Sequence, residues 1–287
     1  MYLDHYGFSA KPFSKTPDPR FLYGGRGHAE ALARMQYAVE EREIMVLTGE
    51  IGSGKTTLTR ALIDHLGESA TVVLIVNPQL TPTQLLRAIA AGLKTERPAR
   101  SRHDLRSQIN AALYECDRAG RPAVAIIDEA QLLPGREAFE ELRLLTNFQY
   151  DHANLLSIVL VGQPELGRRL AHPGLVALSQ RIGMRYHLGP LPAEEVERYI
   201  DHRLRVAGWD PGARGPLWDE DAIEALAELS RGIPRIINAL AATSLLVGYG
   251  RDARRIDRPI VLEAAEELAI GRKGAENSPV PEIKDRD

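Results

Sequence analysis

The chain of 287 residues is long enough for one large domain and a smaller one, and its 44% hydrophobic and 26% charged content is that of a globular protein. A formal net charge of -3 gives no global attraction to nucleic acid or membrane, and the single Cys116 excludes an internal disulfide. No basic stretch followed by an apolar core opens the chain, and no apolar run approaches the roughly 18 residues of a membrane span. Neither a secretory signal nor a transmembrane segment is expected, and a cytoplasmic location is the default.

Residues 1–27 mix aromatics with turn formers: Tyr6, Gly7, Phe8, Pro12 and Phe13, then Pro17, Asp18, Pro19, Phe21, Leu22 and Tyr23. Prolines at this density oppose a continuous helix and favour an extended, turn-rich segment. The aromatics are expected to keep it packed on the core of the domain that follows. A purine ring could stack on such residues, although for any one of them simple packing is the plainer reading. Ala31, Leu32, Met35 and Val39 then recur at helical spacing over 28–43.

Four apolar residues, Ile44, Met45, Val46 and Leu47, predict a short buried strand. It breaks at Gly49, Gly52 and Gly54, and helical spacing resumes from Lys55 to about Leu66. The interval from Gly49 to Lys55 and Thr56 is the Gly-x-x-x-x-Gly-Lys-Thr of a phosphate-binding loop, in the strand–turn–helix order its mechanism requires. Glycines let successive backbone N–H groups point inward, and the helix N-terminus adds partial positive charge. Lys55 can then reach the β- and γ-phosphates of a nucleotide, and the Thr56 hydroxyl can ligate magnesium. The candidate nucleotide contacts are Gly49, Glu50, Ile51, Gly52, Ser53, Gly54, Lys55, Thr56 and Thr57.

A second buried strand is predicted over 72–76, followed by a helix opening at Thr81 and Pro82 and running to about Leu93. Residues 94–106 form a basic loop that enters a helix over 102–119. A charge cluster of this kind is usually a solvated surface, and a nucleic-acid contact is the sharper alternative. Cys116 lies on the helical pattern as a packing residue. Another buried strand over 123–127 ends in Asp128 and Glu129, a helix follows over 135–148, and a strand over 155–161 ends at Gly162 and Gln163. After a further strand over 184–188 the texture becomes helical: 193–207, 219–230, 234–249 and 259–269, with a loop at 208–216. Strands alternating with helices, and polar residues at strand C-termini, predict an α/β fold with a parallel sheet covered on both faces. The expected organisation is an N-terminal segment 1–27, an α/β nucleotide-binding domain 28–190, a helical domain 191–270 and a disordered tail 271–287.

Asp128 would hold magnesium and Glu129 would polarise the attacking water. Phosphoryl transfer asks the protein chiefly for positioning and charge neutralisation. Gln163 leaves the next strand where a polar side chain could bridge that water and the γ-phosphate. Two arginines, Arg181 and Arg235, are candidates for stabilising charge on the transferring phosphoryl group; for a lone arginine a surface ion pair is the ordinary alternative.

With these motifs in place the chain resembles an AAA+ ATPase: a P-loop NTPase domain followed by a C-terminal α-helical lid carrying Gly232, Ile233, Pro234 and Arg235. More narrowly it is similar to the ExeA/GspA family of secretion-linked ATPases, which includes MshM-like proteins of MSHA-pilus biogenesis. That resemblance is carried by the aromatic block Tyr6, Gly7, Phe8, Pro12 and Phe13 and by the run from Pro17 to Tyr23. It continues through His28, Glu30, Ala31 and Leu32, then Leu47, Thr48, Gly49 and Glu50, then Ile127 to Gln131. It ends with Gly162 to Leu166 and with Gln180, Arg181 and Ile182, so that it covers about residues 1–270.

The resemblance implies ATP and Mg2+ as ligands and a homo-oligomer, ring or filament. In it Arg181 would act in trans as an arginine finger, Gln163 as sensor 1 and Arg235 as sensor 2. It also implies protein partners in a secretion, pilus or exopolysaccharide apparatus, reached in the cytoplasm or peripherally at the inner membrane face. Secretion-linked members often carry a transmembrane segment and a peptidoglycan-binding domain. Neither pattern is read in these residues, which points to a stand-alone ATPase role. The competing class is a DNA-binding ATPase regulator of transposition resembling TniB and TnsC, motivated by 94–106 together with Arg251, Arg254, Arg255 and Arg258. The negative net charge argues mildly against it.

Overall fold

The apolar runs that precede each glycine or carboxylate break become strands of one parallel sheet. A computed structural model describes residues 2–14, 18–150 and 153–270. The strands in chain order are β1 (Ile44–Gly49), β2 (Thr71–Val76), β3 (Ala123–Asp128), β4 (Gln149–Tyr150), β5 (Ala153–Asn154), β6 (Leu156–Gly162) and β7 (Ile182–Leu188). Five of them form a sheet in the order β2-β3-β6-β1-β7, every pairing parallel. The two-residue strands β4 and β5 pair antiparallel on their own, a feature the sequence does not announce.

The helices are α1 (Tyr2–Tyr6), α2 (Arg26–Glu40), α3 (Lys55–Leu66), α4 (Pro82–Gly92), α5 (Arg102–Arg118), α6 (Glu137–Leu145) and α7 (Pro164–Leu170). After them come α8 (Val176–Ser179), α9 (Ala193–Val206), α10 (Pro211–Arg214), α11 (Glu220–Ser230), α12 (Pro234–Gly250) and α13 (Arg258–Glu267). The Thr81 and Pro82 start signal is realised as a full capping box with Gln84. Between 208 and 216, where a loop is expected, the chain forms α10, capped by the Asp210 side chain. The helix α7 is likewise unannounced: Pro164 at its first turn continues directly from β6 through Gln163.

Alternation along the buried strands divides their side chains between two faces. Ile44, Val46, Ala125, Ile127, Ile158 and Leu160 join the cluster that includes Leu86 and Ile89 of α4, Ile109 of α5 and Phe139 of α6. Met45, Leu47, Val124, Ile126, Val159 and Val161 turn the other way, onto Met35 of α2 and Leu58 and Leu62 of α3. Cys116 is partly buried against the first of these clusters, as its place on the helical pattern predicts.

The N-terminal segment departs from expectation. It begins with the short helix α1, and its aromatics do not cover the sheet's helices. Tyr6, Phe8, Phe13 and Phe21 are buried in a third cluster with Val196, Ile200, Trp209, Trp218, Ile237 and Ile260 from the helical C-terminal part. Arg203 of α9 is enclosed there: its Nε donates to the Pro12 carbonyl at 2.7 Å, and its guanidinium lies 4.9 Å from the Phe21 ring centroid and 5.9 Å from that of Phe13. The aromatics are spent on packing, so none of these four is a platform for a purine. Pro17 and the expected disordered tail, 271–287, lie outside the described residues.

The chain's two tryptophans, Trp209 and Trp218, both sit in this third cluster, so their fluorescence reports its integrity. Phe13→Ala is expected to lower the stability seen by that fluorescence in urea by about 3–5 kcal/mol. An unchanged transition would place Phe13 outside the cluster.

Candidate nucleotide site

The site follows from the strand order. With β6 between β3 and β1, the register aligns Thr48 with Gly162 and Ile127 with Leu160, so Asp128, Gln163 and the loop after Gly49 emerge side by side. In open parallel sheets, ligands bind at these carboxyl ends.

The loop between β1 and α3 has the backbone its sequence requires. Gly52 and Gly54 have φ of +86° and +104°, a left-handed region that side chains rarely adopt. A Cβ on Gly54 would lie 2.8 Å from His28 Nε2, and one on Gly49 would lie 2.7 Å from the Leu188 carbonyl oxygen. Lys55 is buried, and its Nζ donates to the carbonyls of Gly49 at 2.7 Å and Glu50 at 2.9 Å. Burial lowers the Lys55 pKa from its ordinary value; the carboxylates of Glu129, Asp128 and Glu50 oppose that shift, and Arg235 adds to it. Ser53 Oγ is buried without a hydrogen-bond partner among the described residues. Glu50 and Ile51 are exposed at the loop's crest, and Thr57 is half-buried at the start of α3.

Thr56 Oγ1 donates to Asp128 Oδ2 at 3.1 Å, which brings together the two residues expected to hold a metal. Asp128 is itself buried. Burial raises its pKa, and hydrogen bonds from the Glu129 backbone and the Thr56 hydroxyl partly counter the shift. Magnesium binds through one or two protein oxygens, with phosphate oxygens and water completing its shell, and a hydroxyl beside a carboxylate fits that requirement. The loop fits a polyphosphate on its own terms: close-packed glycines, an unpartnered buried hydroxyl and a buried ammonium resting on carbonyls.

Glu129 follows with φ +55°, and its N–H donates to Asp128 Oδ1 at 2.9 Å. This left-handed turn, which costs a non-glycine residue roughly 1 kcal/mol or more, directs the Glu129 carboxylate toward β6. There Gln163 Nε2 donates to Glu129 Oε2 at 3.2 Å. Gln131 donates to the same oxygen through its own Nε2, and its Oε1 accepts the Gln163 backbone N–H at 3.1 Å. Gln131 is not among the site residues expected from sequence; its signals are its place two residues after Glu129 and its membership of the Ile127–Gln131 run that carries the resemblance.

Arg235 lies on the loop. Its N–H donates to the Gly52 carbonyl at 3.2 Å, and a Cβ on Gly52 would collide with its side chain. Arg181 does not join the others. It precedes β7, whose Ile182 pairs with Ile44 at the start of β1 while Leu188 pairs with Gly49 at its end. Six residues of strand, at about 3.3 Å each, separate Arg181 from the phosphate loop of its own chain. Its guanidinium is exposed and donates to Thr146 Oγ1 at 2.8 Å.

Two further buried residues, neither expected from sequence as part of the site, lie on the loop and on the start of α2. His28 of α2 is buried with Nε2 2.9 Å from the Ser53 carbonyl oxygen, and burial lowers its pKa. Glu195 of α9, also buried, accepts from the Arg26 N–H at 3.4 Å.

Six of the eight arginines behind the nucleic-acid alternative are engaged within the fold, while the exposed side chains of Arg97 and Arg100 make no hydrogen bond or ion pair among the described residues. Arg106 pairs with Glu141 at 2.9 Å, Arg102 with Glu137 at 3.2 Å, Arg251 with Glu263, Arg255 with Asp219, and Arg258 with Glu228 at 3.2 Å. Arg254 donates to the His5 carbonyl at 3.2 Å.

Comparison with known proteins agrees with this fold. A family model described as an AAA domain matches residues 38–170. General secretion pathway protein A of Aeromonas hydrophila is 39% identical over 281 residues, covering 94% of this chain. The chain spans about half the length of that relative, 49%. Among solved structures, Cdc6p of Pyrobaculum aerophilum is similar with a TM-score of 0.67 and 17% identity, covering 90% of this chain and 70% of that one. The ORC2 protein of Aeropyrum pernix is similar with a TM-score of 0.66 and 19% identity, covering 90% and 72%. At such identities these two structures bear on the fold alone.

The raised Asp128 pKa carries a sign. A folded-state pKa above the unfolded value means that folding is favoured while the group is protonated, and stability is lost as pH rises through the folded value. Asp128→Asn is therefore expected to raise the Tm of the nucleotide-free protein at pH 7. The same substitution should abolish the gain in nucleotide affinity on adding magnesium, read by calorimetry. A lowered Tm would show that the hydrogen bonds to the carboxylate outweigh its burial.

Proposed function

Because the chain belongs to the AAA+ family of P-loop proteins and is related to general secretion pathway protein A over nearly its whole length, we propose that it binds ATP with magnesium, hydrolyses it, and uses the resulting closure to act on a protein assembly. The observation that carries this reading is the convergence of Lys55, the Thr56–Asp128 bond and the Glu129–Gln163 bond at the ends of three adjacent strands.

Each residue's task follows from its surroundings. Lys55, released from the carbonyls of Gly49 and Glu50, places its ammonium on the β- and γ-phosphates. Thr56 and Asp128 hold magnesium, which when bound neutralises phosphate charge. Glu129 accepts the proton of the attacking water, and Gln163 orients that carboxylate and the water. Arg235, anchored on Gly52, brings a cation from the helical lid to the phosphates as the lid closes. Arg181, at the wrong end of its own sheet, serves the site of a neighbouring copy in a homo-oligomer.

The apparatus acted on is of the secretion, pilus or exopolysaccharide kind. Among the described residues no helix is long and apolar enough to cross a membrane, and contact with the inner membrane face is made through protein partners. The DNA-binding alternative is left with Arg97 and Arg100 as arginines not already engaged with carboxylates or carbonyls, and the net charge of -3 adds no attraction to nucleic acid.

Lys55→Ala is expected to abolish binding of a fluorescent ATP analogue. Glu129→Gln should retain it and lower kcat by on the order of 10²–10⁴-fold. A Glu129→Gln variant that turns over at the wild-type rate removes Glu129 from the role of base.

Mixing Arg181→Ala with Glu129→Gln is expected to restore part of the ATPase activity that each lacks alone, because mixed interfaces pair an intact site with an intact arginine. No recovery across mixing ratios would count against the trans arrangement.

A further inference from the structure

We infer that Gln131 is a positioning residue for the hydrolysis proposed above: its side-chain amide fixes the Glu129 carboxylate to the backbone of the β6 exit and leaves one carboxylate oxygen for the attacking water. The inference rests on that reading of Glu129 as the base.

The geometry is a closed bridge. Gln131 Nε2 donates to Glu129 Oε2, and Gln131 Oε1 accepts the Gln163 N–H at 3.1 Å. Gln163 Nε2 returns to the same Glu129 oxygen at 3.2 Å. One amide thus uses a donor on the carboxylate and its acceptor on the neighbouring strand, which a carboxylate or an aliphatic side chain of the same length could not do. Both donors converge on Oε2, and Glu129 Oε1 makes no hydrogen bond among the described residues. A carboxylate held by one oxygen with the other open is in the state a general base needs.

The bridge is supported from three sides. At Gly162 a Cβ would lie 2.5 Å from Gln131 Oε1, so the absence of a side chain there makes room for the amide. The Gln131 backbone is held by Arg169 of α7, which donates to the Gln131 carbonyl and, at 3.1 Å, to that of Gly135. The Arg169 guanidinium lies 5.0 Å from the Phe139 ring centroid, and burial lowers its pKa. The left-handed Glu129 backbone completes the arrangement: without an anchor at its far end, a carboxylate on a strained turn would be free to swing.

Steady-state ATPase kinetics on the full chain test this with Gln131→Leu and Gln131→Glu. Both keep the side chain's size, and Gln131→Glu keeps an acceptor while losing the donor and placing a carboxylate beside Glu129. Each is expected to lower kcat roughly 10- to 100-fold, with KM within twofold and Tm unchanged. In a Glu129→Gln background, Gln131→Leu is expected to change the residual rate by less than twofold, because its effect passes through Glu129.

Wild-type kcat in Gln131→Leu, or the same fractional loss in both backgrounds, overturns the inference while leaving the hydrolysis reading intact. Recovery of kcat by Gln131→Glu also overturns it, since bulk rather than donation would then be at work. A wild-type chain that binds ATP and never hydrolyses it overturns the hydrolysis reading and this inference with it.

Discussion

The placement of β6 between β3 and β1, with all three strands parallel, is the constraint on which the site depends. Parallel neighbours end together, so the loop after Gly49, the carboxylates after Ile127 and the amide after Gly162 share one edge without any long-range search by their side chains. Because strands in such a sheet are buried on both faces, their length and register are held by packing: Met45, Ile126 and Val159 on one side, Val46, Ile127 and Ile158 on the other. A one-residue slip of β6 would move Gln163 away from Glu129 and at the same time turn its apolar residues to the wrong faces. Core packing and the geometry of the candidate site are therefore enforced by the same contacts.

Within that frame the site is built against its own electrostatic preference. A carboxylate, Asp128, and an ammonium, Lys55, are both buried, and each is shifted toward its neutral form. The carbonyls gripping Lys55 and the donors gripping Asp128 reduce that cost without removing it. A polyphosphate and a divalent cation carry the charges each group lacks, so binding would relieve both at once. An empty site of this kind carries a charge-burial cost that a polyphosphate and a divalent cation would offset.

What could be read from the sequence was whatever local pattern encodes. Gly49 to Thr56 forms a phosphate loop wherever it joins a strand to a helix, and Asp128 with Glu129 declares itself by following an apolar run. The sheet was legible for the same reason, and the AAA+ plan through the resemblance that these motifs carry. Tertiary juxtapositions were not. Nothing in periodicity says that the Gln131 amide turns back to Glu129, since that depends on a left-handed φ and on a glycine 31 residues later, at position 162. His28 and Glu195 look like ordinary helix residues; contacts across 25 and 169 positions bring them to the loop and to the start of α2. The N-terminal aromatics were recognised as buried, yet the sequence carries no sign of which core would take them. Trp209 and Trp218, their partners, lie about two hundred residues away.

Those long-range contacts define how occupancy of the loop can be felt at a distance. The helical C-terminal part touches the phosphate loop through Arg235 on Gly52, and touches α2 through Glu195 on the N–H of Arg26. The helix α2 touches the loop from beneath, His28 against the Ser53 carbonyl. The N-terminal segment adds a second, covalent path, because Tyr6, Phe8, Phe13 and Phe21 are anchored in the helical cluster around Arg203 while α2 begins only at Arg26. Any movement of the helices relative to the sheet would therefore bear on α2 through the backbone as well as through Glu195, and α2 contacts the candidate phosphate loop through His28. A ligand that shifts Ser53 or Gly52 shifts the same linkage in reverse, since coupling between two sites is reciprocal. The aromatic segment, spent on packing, is thereby linked through the chain and through α2 to the candidate nucleotide site.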